Sequence, residues 1–140
     1  MSTFKKDYSF GKIKEVEVYA LIKESFNDNI IQSENKFEKF DFKGDKYYYE
    51  LKSRNNKYAD YPTTLIEKAK IFADNIVFLF NFTDGLYYIR YSQKKFSKFE
   101  CKEFVRHKRF DFIDKPRPYY FIPIEKLKKI EKPEIEKIDI

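Results

Sequence analysis

Three residues in one short stretch have the types and spacing to do chemistry together. Asp41 precedes a Gly44-Asp45 bend, and Glu50 and Lys52 follow it. Read as a hairpin, Phe40 to Lys52 forms two short strands around Gly44-Asp45, where a residue without Cβ can take φ > 0. A two-residue turn there pairs Lys43 with Lys46, Phe42 with Tyr47 and Asp41 with Tyr48. Directly opposed residues share a sheet face, as do residues two apart on one strand. Asp41, Tyr48, Glu50 and Lys52 are therefore expected on one face. Asp41 and Glu50 become diagonal neighbours with backbones roughly 7–8 Å apart. A four-residue loop keeps this parity, and a three-residue loop breaks it.

Two carboxylates converging from that spacing can share one hard cation, with oxygen ligands at about 2 Å in the case of Mg²⁺. Mg²⁺ so held can activate water and neutralise charge on a phosphate, the two requirements of phosphodiester hydrolysis. A lysine beside the metal can orient the water, help lower its pKa, or stabilise developing charge. Glu-x-Lys alone is uninformative, since Glu34-Asn35-Lys36 and Glu100-Cys101-Lys102 match it equally. What distinguishes Glu50-Leu51-Lys52 is an Asp on the preceding strand and a helix with a Glu upstream. The alternative is an exposed hairpin with ordinary cross-strand charge pairs.

The elements that must position these groups follow from hydrophobic pattern. Phe10 to about Phe26 has helical spacing, with Ile13, Val16 and Ala20 along one line and Val18, Leu21, Ile22 and Ser25 widening it. Asn27-Asp28-Asn29 ends that helix. Strands are expected at Ile30 to Ser33, Phe37 to Phe42 and Tyr47 to Ser53. Tyr61-Pro62-Thr63-Thr64 reads as a helix entry, leading to a helix over residues 64–74 through Leu65, Ile66, Ala69, Phe72 and Ala73. Ile76 to Phe80 is wholly apolar, as in a central strand covered on both faces. Leu86 to Tyr91 returns as a strand. Beyond Ser92 the pattern blurs. Phe110 to Ile113 reads as a strand, Tyr119 to Ile122 as another, and Pro123 opens a short helix through Ile130. Residues 131–140 read as a frayed tail.

The chain has 140 residues, enough for one domain with one core. A formal charge of +6 favours an anionic partner, nucleic acid before membrane. The single cysteine, Cys101, can form no internal disulfide and fits a reducing compartment. The polar start is unlike a signal peptide, and no apolar run is long enough for a bilayer, so a soluble intracellular protein is expected. His107 is the sole histidine, which argues against a His/Cys zinc site.

Helix, three strands, helix, strand is the element order of the PD-(D/E)xK nuclease superfamily, and Asp41 followed by Glu50-Leu51-Lys52 resembles its central motif. Phe40 stands where the motif's Pro would be. Gly11-Lys12-Ile13-Lys14-Glu15 resembles the Gly-x-x-x-Glu on the first helix of restriction-like and resolvase-like members. The resemblance covers roughly residues 8–92. It extends loosely to Tyr119 to Pro123, an ending similar to small nuclease-like proteins of large DNA viruses.

The resemblance implies an α+β (α/β) domain over residues 1–140. Its restriction-endonuclease-like core would be helix, three strands, helix, two strands in a mixed sheet flanked by helices. An accessory β-rich section over residues 93–130, with a short helix, would follow. It implies a Mg²⁺-dependent DNA endonuclease, with Mn²⁺ as a substitute, leaving a 5′-phosphate and a 3′-hydroxyl. Asp41 and Glu50 would bind the metal with the Leu51 carbonyl. Lys52 would position or activate water, and Glu15 would assist from the helix. Many such nucleases are dimers, so a homodimer is compatible, although the sequence carries no sign of an interface.

Candidate DNA contacts are Lys43, Arg54, Asn56 and Lys57 near the site, Thr63 and Thr64 as a helix-start phosphate site, and the basic run Arg106, Lys108 and Arg109. The rival readings are a nucleic-acid-binding module on the same fold without turnover, and a structural or partner-binding protein.

Overall fold

The computed structural model describes residues 16–33, 39–105, 115–131 and 138. Its centre is the apolar run anticipated as an interior strand. β5 (Ile76–Phe82) has six of its seven residues buried. It lies in the middle of a six-stranded sheet ordered β1 (Ile31–Gln32), β2 (Phe42–Lys43), β3 (Tyr48–Ser53), β5, β6 (Gly85–Arg90), β9 (Lys128–Lys129). β1, β2 and β3 pair antiparallel in sequence, β3 and β5 are parallel, and β5, β6 and β9 are again antiparallel. The fold is thus α+β with a mixed sheet, and mostly sheet.

Alternation along β5 divides the interior. Val77 and Leu79 face the described part of helix α1, residues 16–25, whose Val18 and Ile22 pack with Phe26, Phe42 and Tyr49. The inward line of this helix is Val18, Ile22 and Ser25, whereas Val16 is 60% exposed. The expected line through Val16 and Ala20 therefore faces solvent. A charge-rich helix with several apolar residues offers two overlapping stripes, and the one continuing into Phe26 wins because Phe26 inserts against Tyr49 and Tyr88.

Ile76, Phe78, Phe80 and Phe82 face the other way, toward Ile66, Phe96, Ile122 and Leu127. That second layer is a sheet as well: β4 (Thr63–Glu67), β8 (Arg117–Pro123) and β7 (Glu100–Phe104) in the order β4-β8-β7, all antiparallel. The helix expected over residues 64–74 is therefore replaced by a strand and a 3₁₀ turn, Lys68–Lys70. Thr-Thr-Leu-Ile is β-prone. The run is short enough for Thr64 and Ile66 to alternate inward, with Leu65 and Glu67 less buried. The decisive term is non-local, since all five residues of β4 pair with β8, Thr63 opposite Pro123 and Glu67 opposite Tyr119.

The chain after Pro123 is also strand-like. A 3₁₀ turn, Ile124–Lys126, leads into β9 in place of the expected helix. A short helix α2 (Gln93–Phe96), with the Ser92 hydroxyl accepting from the Lys95 N–H at 3.3 Å, sets Phe96 into the second layer. The strand expected at Phe110 to Ile113 lies outside the described residues. Ile138 bridges in parallel to Phe26, so that part of the expected tail meets the end of α1. Among the described residues no helix is long and apolar enough to cross a membrane.

Candidate functional site

The hairpin carrying the candidate site differs from the expected one at its turn. Phe42 opposes Tyr49 and Lys43 opposes Tyr48. The Gly44 N–H donates to the Tyr47 carbonyl at 2.8 Å, which centres the turn on Asp45-Lys46. The pairing is shifted by two residues from the expected Phe42–Tyr47, which keeps the expected parity. Among the described residues no φ is positive, so Gly44 is not needed for a left-handed conformation. It is needed for space, because a Cβ there would overlap the Asp28 carboxylate. That carboxylate accepts from the N–H groups of Lys46 (3.1 Å) and Tyr47 (3.3 Å) and from the Tyr49 hydroxyl (2.8 Å). A side chain from the end of α1 thereby pins the turn. Burial first, then the hydrogen bond and the charge of Asp28, hold the Tyr49 phenol well above the usual tyrosine range.

The regular ladder ends at Phe42. Asp41 directs its N–H to the Tyr49 carbonyl (3.0 Å) and its C=O to the Ser33 N–H (2.9 Å), so the chain bends between the two neighbouring strands. Its Oδ2 accepts the Leu51 N–H at 2.7 Å. Since that N–H points along the sheet, the Asp41 carboxylate lies near the sheet plane at the edge of β3. It does not stand squarely on one face, as simple parity predicts. An extended residue turns its N–H and C=O to the same edge, so the Leu51 carbonyl emerges beside Asp41.

Glu50 and Lys52 project from β3 on the side of the second layer, sharing parity with Tyr48, while Tyr49 and Leu51 face α1. Glu50 is 7% exposed and stands in register with Phe78. Its Oε1 accepts from the Lys52 ammonium at 3.1 Å. Its Oε2 is buried and has no hydrogen-bond partner among the described residues. A buried carboxylate oxygen in that condition is costly unless something neutralises it.

The donor set can be tested against a divalent cation. Among the described residues no group of three or more His, Cys, Asp or Glu side chains could hold a metal. The chain offers two carboxylates, Asp41 near the sheet plane at the edge of β3 and Glu50 on its second-layer side, and the Leu51 carbonyl. Mg²⁺ commonly keeps several waters and takes only one or two protein carboxylates, so the number and type of these donors suit it, and Glu50 Oε2 has no hydrogen-bond partner among the described residues.

The other expected site residues divide. Glu15 lies outside the described residues. Val18 and Ile22 of α1 pack on the side of the sheet away from Glu50. Lys43 is exposed, its ammonium 5.5 Å from the centre of the Tyr48 ring. Arg54 is built into the structure. It donates to the Leu65 carbonyl at 2.6 Å and to the Thr64 hydroxyl at 3.1 Å, and lies over Phe80. Thr64 is buried, and Thr63 and Thr64 belong to β4, so the helix-start phosphate site does not exist. Asn56 donates to the Lys57 carbonyl and accepts from Thr83 in a compact loop, in which the Lys57 N–H donates to the Asp60 carboxylate. Arg106, Lys108 and Arg109 lie outside the described residues.

Sequence reading missed a concentration of positive charge on the second layer. Lys94, Lys95 and Lys98 of the α2 region meet Lys126 from the turn after β8, around a recess of about 500 Å³ that includes Phe99 and Pro123. Burial, and then the charges of Lys128, Arg90 and Lys126, push the Lys95 ammonium below the usual lysine range. The signal was present only as scattered lysines, because roughly thirty residues separate the two groups and β8 must return to unite them. Comparison of the chain with protein-family models, with curated proteins and with solved structures gave no match, so its own geometry carries the functional reading.

Proposed function

We propose that the protein is a Mg²⁺-dependent DNA endonuclease on a restriction-endonuclease-like core. The observation that carries this reading is Glu50. It is a buried carboxylate with one oxygen paired to Lys52 and the other without a partner among the described residues, on a strand whose neighbour brings in Asp41. The sheet supports it too, with three antiparallel strands in sequence, a crossover, and a parallel fourth. The crossover runs through β4 where the family resemblance implies a helix.

Asp41, Glu50 and the Leu51 carbonyl would hold the cation. When bound, the cation supplies an acidified water and neutralises charge on the scissile phosphate. The Leu51 N–H fixes the Asp41 carboxylate in orientation, as outer partners of metal ligands do. The Lys52 ammonium, side chain 22% exposed, can reach a water or a phosphate oxygen at the mouth of the site while remaining beside Glu50. Phe78 and Tyr48 limit water behind the carboxylate, which strengthens the hold of the carboxylate on a cation.

Incubation with supercoiled, linear and branched DNA in Mg²⁺ or Mn²⁺ tests the reading, with EDTA as control. Cleavage should require the metal, and Asp41→Asn or Lys52→Ala should lower it by about a hundredfold or more. Undiminished cleavage by either variant removes the assigned site. A second reading, a nucleic-acid-binding module without turnover, is favoured by the lysine cluster. Metal-insensitive binding without cleavage would select it.

A further inference from the structure

The cluster around α2 does not belong to the Asp41–Glu50–Lys52 site. Lys94, Lys95, Lys98 and Lys126 share one recess, and Lys95 also borders an adjoining groove with Arg90, Tyr91 and Asp74. Lys128 approaches the same ammonium. No ion pair shown among the described residues engages these five lysines. The ion pairs shown are Lys52–Glu50, Lys102–Glu100 and Arg117–Glu67. Among the described residues, Asp74 lies on the groove and Glu125 beside Lys126. Five lysines and Arg90 outnumber these two acids, and cations so crowded repel one another, so a bound anion would stabilise the arrangement.

We propose that this recess is a nucleic-acid backbone site, in which the lysines of α2 and of the turn after β8 straddle consecutive phosphates. The shape argues for a strand in preference to a lipid surface. The ammonium groups surround a hollow with an apolar lining from Phe99 and Pro123. A ridge of alternating phosphate and sugar enters such a hollow, and a flat bilayer surface does not. Burial first, and then the charges of Lys128, Arg90 and Lys126, lower the proton affinity of Lys95. Arg90, at the end of β6, lies opposite Val77 in the sheet, and Tyr48 lies opposite Ile76. Glu50 opposes Phe78 and Phe78 opposes Ile89, so the strand that leads into α2 passes two strand spacings, roughly 10 Å, from β3 at the level of Glu50. A single strand of nucleic acid can span both.

The substrate class rests on the reading above, and the test separates the two. Binding of a fluorescent duplex and a fluorescent single strand is measured by anisotropy in EDTA across a salt series. The triple variant Lys94→Gln, Lys98→Gln, Lys126→Gln is compared with Lys68→Gln, Lys70→Gln, Lys115→Gln, which loses the same charge elsewhere. Each lost phosphate contact lowers the salt slope by about 0.9 for duplex or about 0.7 for single-stranded DNA. The recess variant should therefore lose about 2–3 units of slope and at least tenfold in affinity near 0.1 M salt, while the control keeps its slope. Equal weakening of both variants, or wild-type binding without salt dependence, overturns the proposal. So does recess-dependent capture by phosphatidylserine vesicles without DNA binding. Recess-dependent DNA binding with no cleavage in Mg²⁺ defeats the endonuclease reading and leaves this site standing.

Discussion

Replacing Glu50 by Gln separates a metal ligand from a structural ion pair. The side chain is 7% exposed, with Oε1 on Lys52 and Oε2 without a partner among the described residues. Taking a carboxylate out of water costs several kcal/mol, and one ion pair at 3.1 Å offsets only part of it. Gln keeps the shape without the charge, and the Lys52 side chain, 22% exposed, can turn its ammonium to water. In EDTA, Glu50→Gln should unfold within about 1 kcal/mol of the wild type, or later than it.

With Mg²⁺ the order reverses. A cation at ten times its dissociation constant stabilises the native state by about 1.4 kcal/mol. For a chain of 140 residues the unfolding entropy is about 0.3 kcal/mol/K, so the wild-type midpoint should rise by about 5 °C and that of Glu50→Gln by almost nothing. Differential scanning fluorimetry over a Mg²⁺ titration, with Ca²⁺ and Na⁺ at matched ionic strength, measures this. A wild-type midpoint that ignores Mg²⁺, or a Gln variant that shifts equally, refutes the assignment. Loss of more than about 3 kcal/mol in EDTA would show instead that the pair with Lys52 is structural.

Arg54→Ala should cost about 2–3 kcal/mol of stability by denaturant unfolding, since it removes the bonds to Leu65 and Thr64 that tie β3 to β4. DNA affinity measured well below the melting point should change far less. The Tyr49 phenol, raised above its ordinary 10.0 chiefly by burial, makes stability pH-dependent in alkali. Below pH 10 both states keep the proton, so its contribution is fully present. Above it the unfolded chain ionises first, and stability falls by up to about 1.4 kcal/mol per pH unit. Unfolding midpoints between pH 9 and 11 should fall less steeply for Tyr49→Phe than for the wild type.

Sequence pattern revealed the strands whose burial is locally encoded. Ile76 to Phe80 could only be interior, and Tyr47 to Ser53 and Leu86 to Tyr91 alternate well enough to stand as its neighbours. The error over residues 64–74 came from a spacing that suits a helix but is satisfied by a strand, because the partner β8 lies more than fifty residues away. The site was legible as a set of residues and not as a geometry. Glu50 and Lys52 lie on one strand face, but the bend at Asp41 depends on Ser33 and Leu51, which no parity rule includes. The turn at Asp45-Lys46 likewise depends on Asp28, a residue that reads in sequence only as the end of a helix.

The crossover between β3 and β5 has a consequence for the order in which the protein can be made. Its one strand, β4, has β8 as its strand partner among the described residues, Thr63 opposite Pro123 and Glu67 opposite Tyr119. A nascent chain that has emerged as far as β6 holds every strand of the central hairpins but has a bare, β-prone segment where the second layer should begin. Ile76, Phe78 and Phe80 then lack their cover until residues 117–123 arrive. Such long-range closure slows folding and leaves an unpaired edge exposed meanwhile. Residues 8–92, the main span of the resemblance to a nuclease core, are therefore not expected to fold as a separable fragment. The section that looks accessory in sequence completes the core.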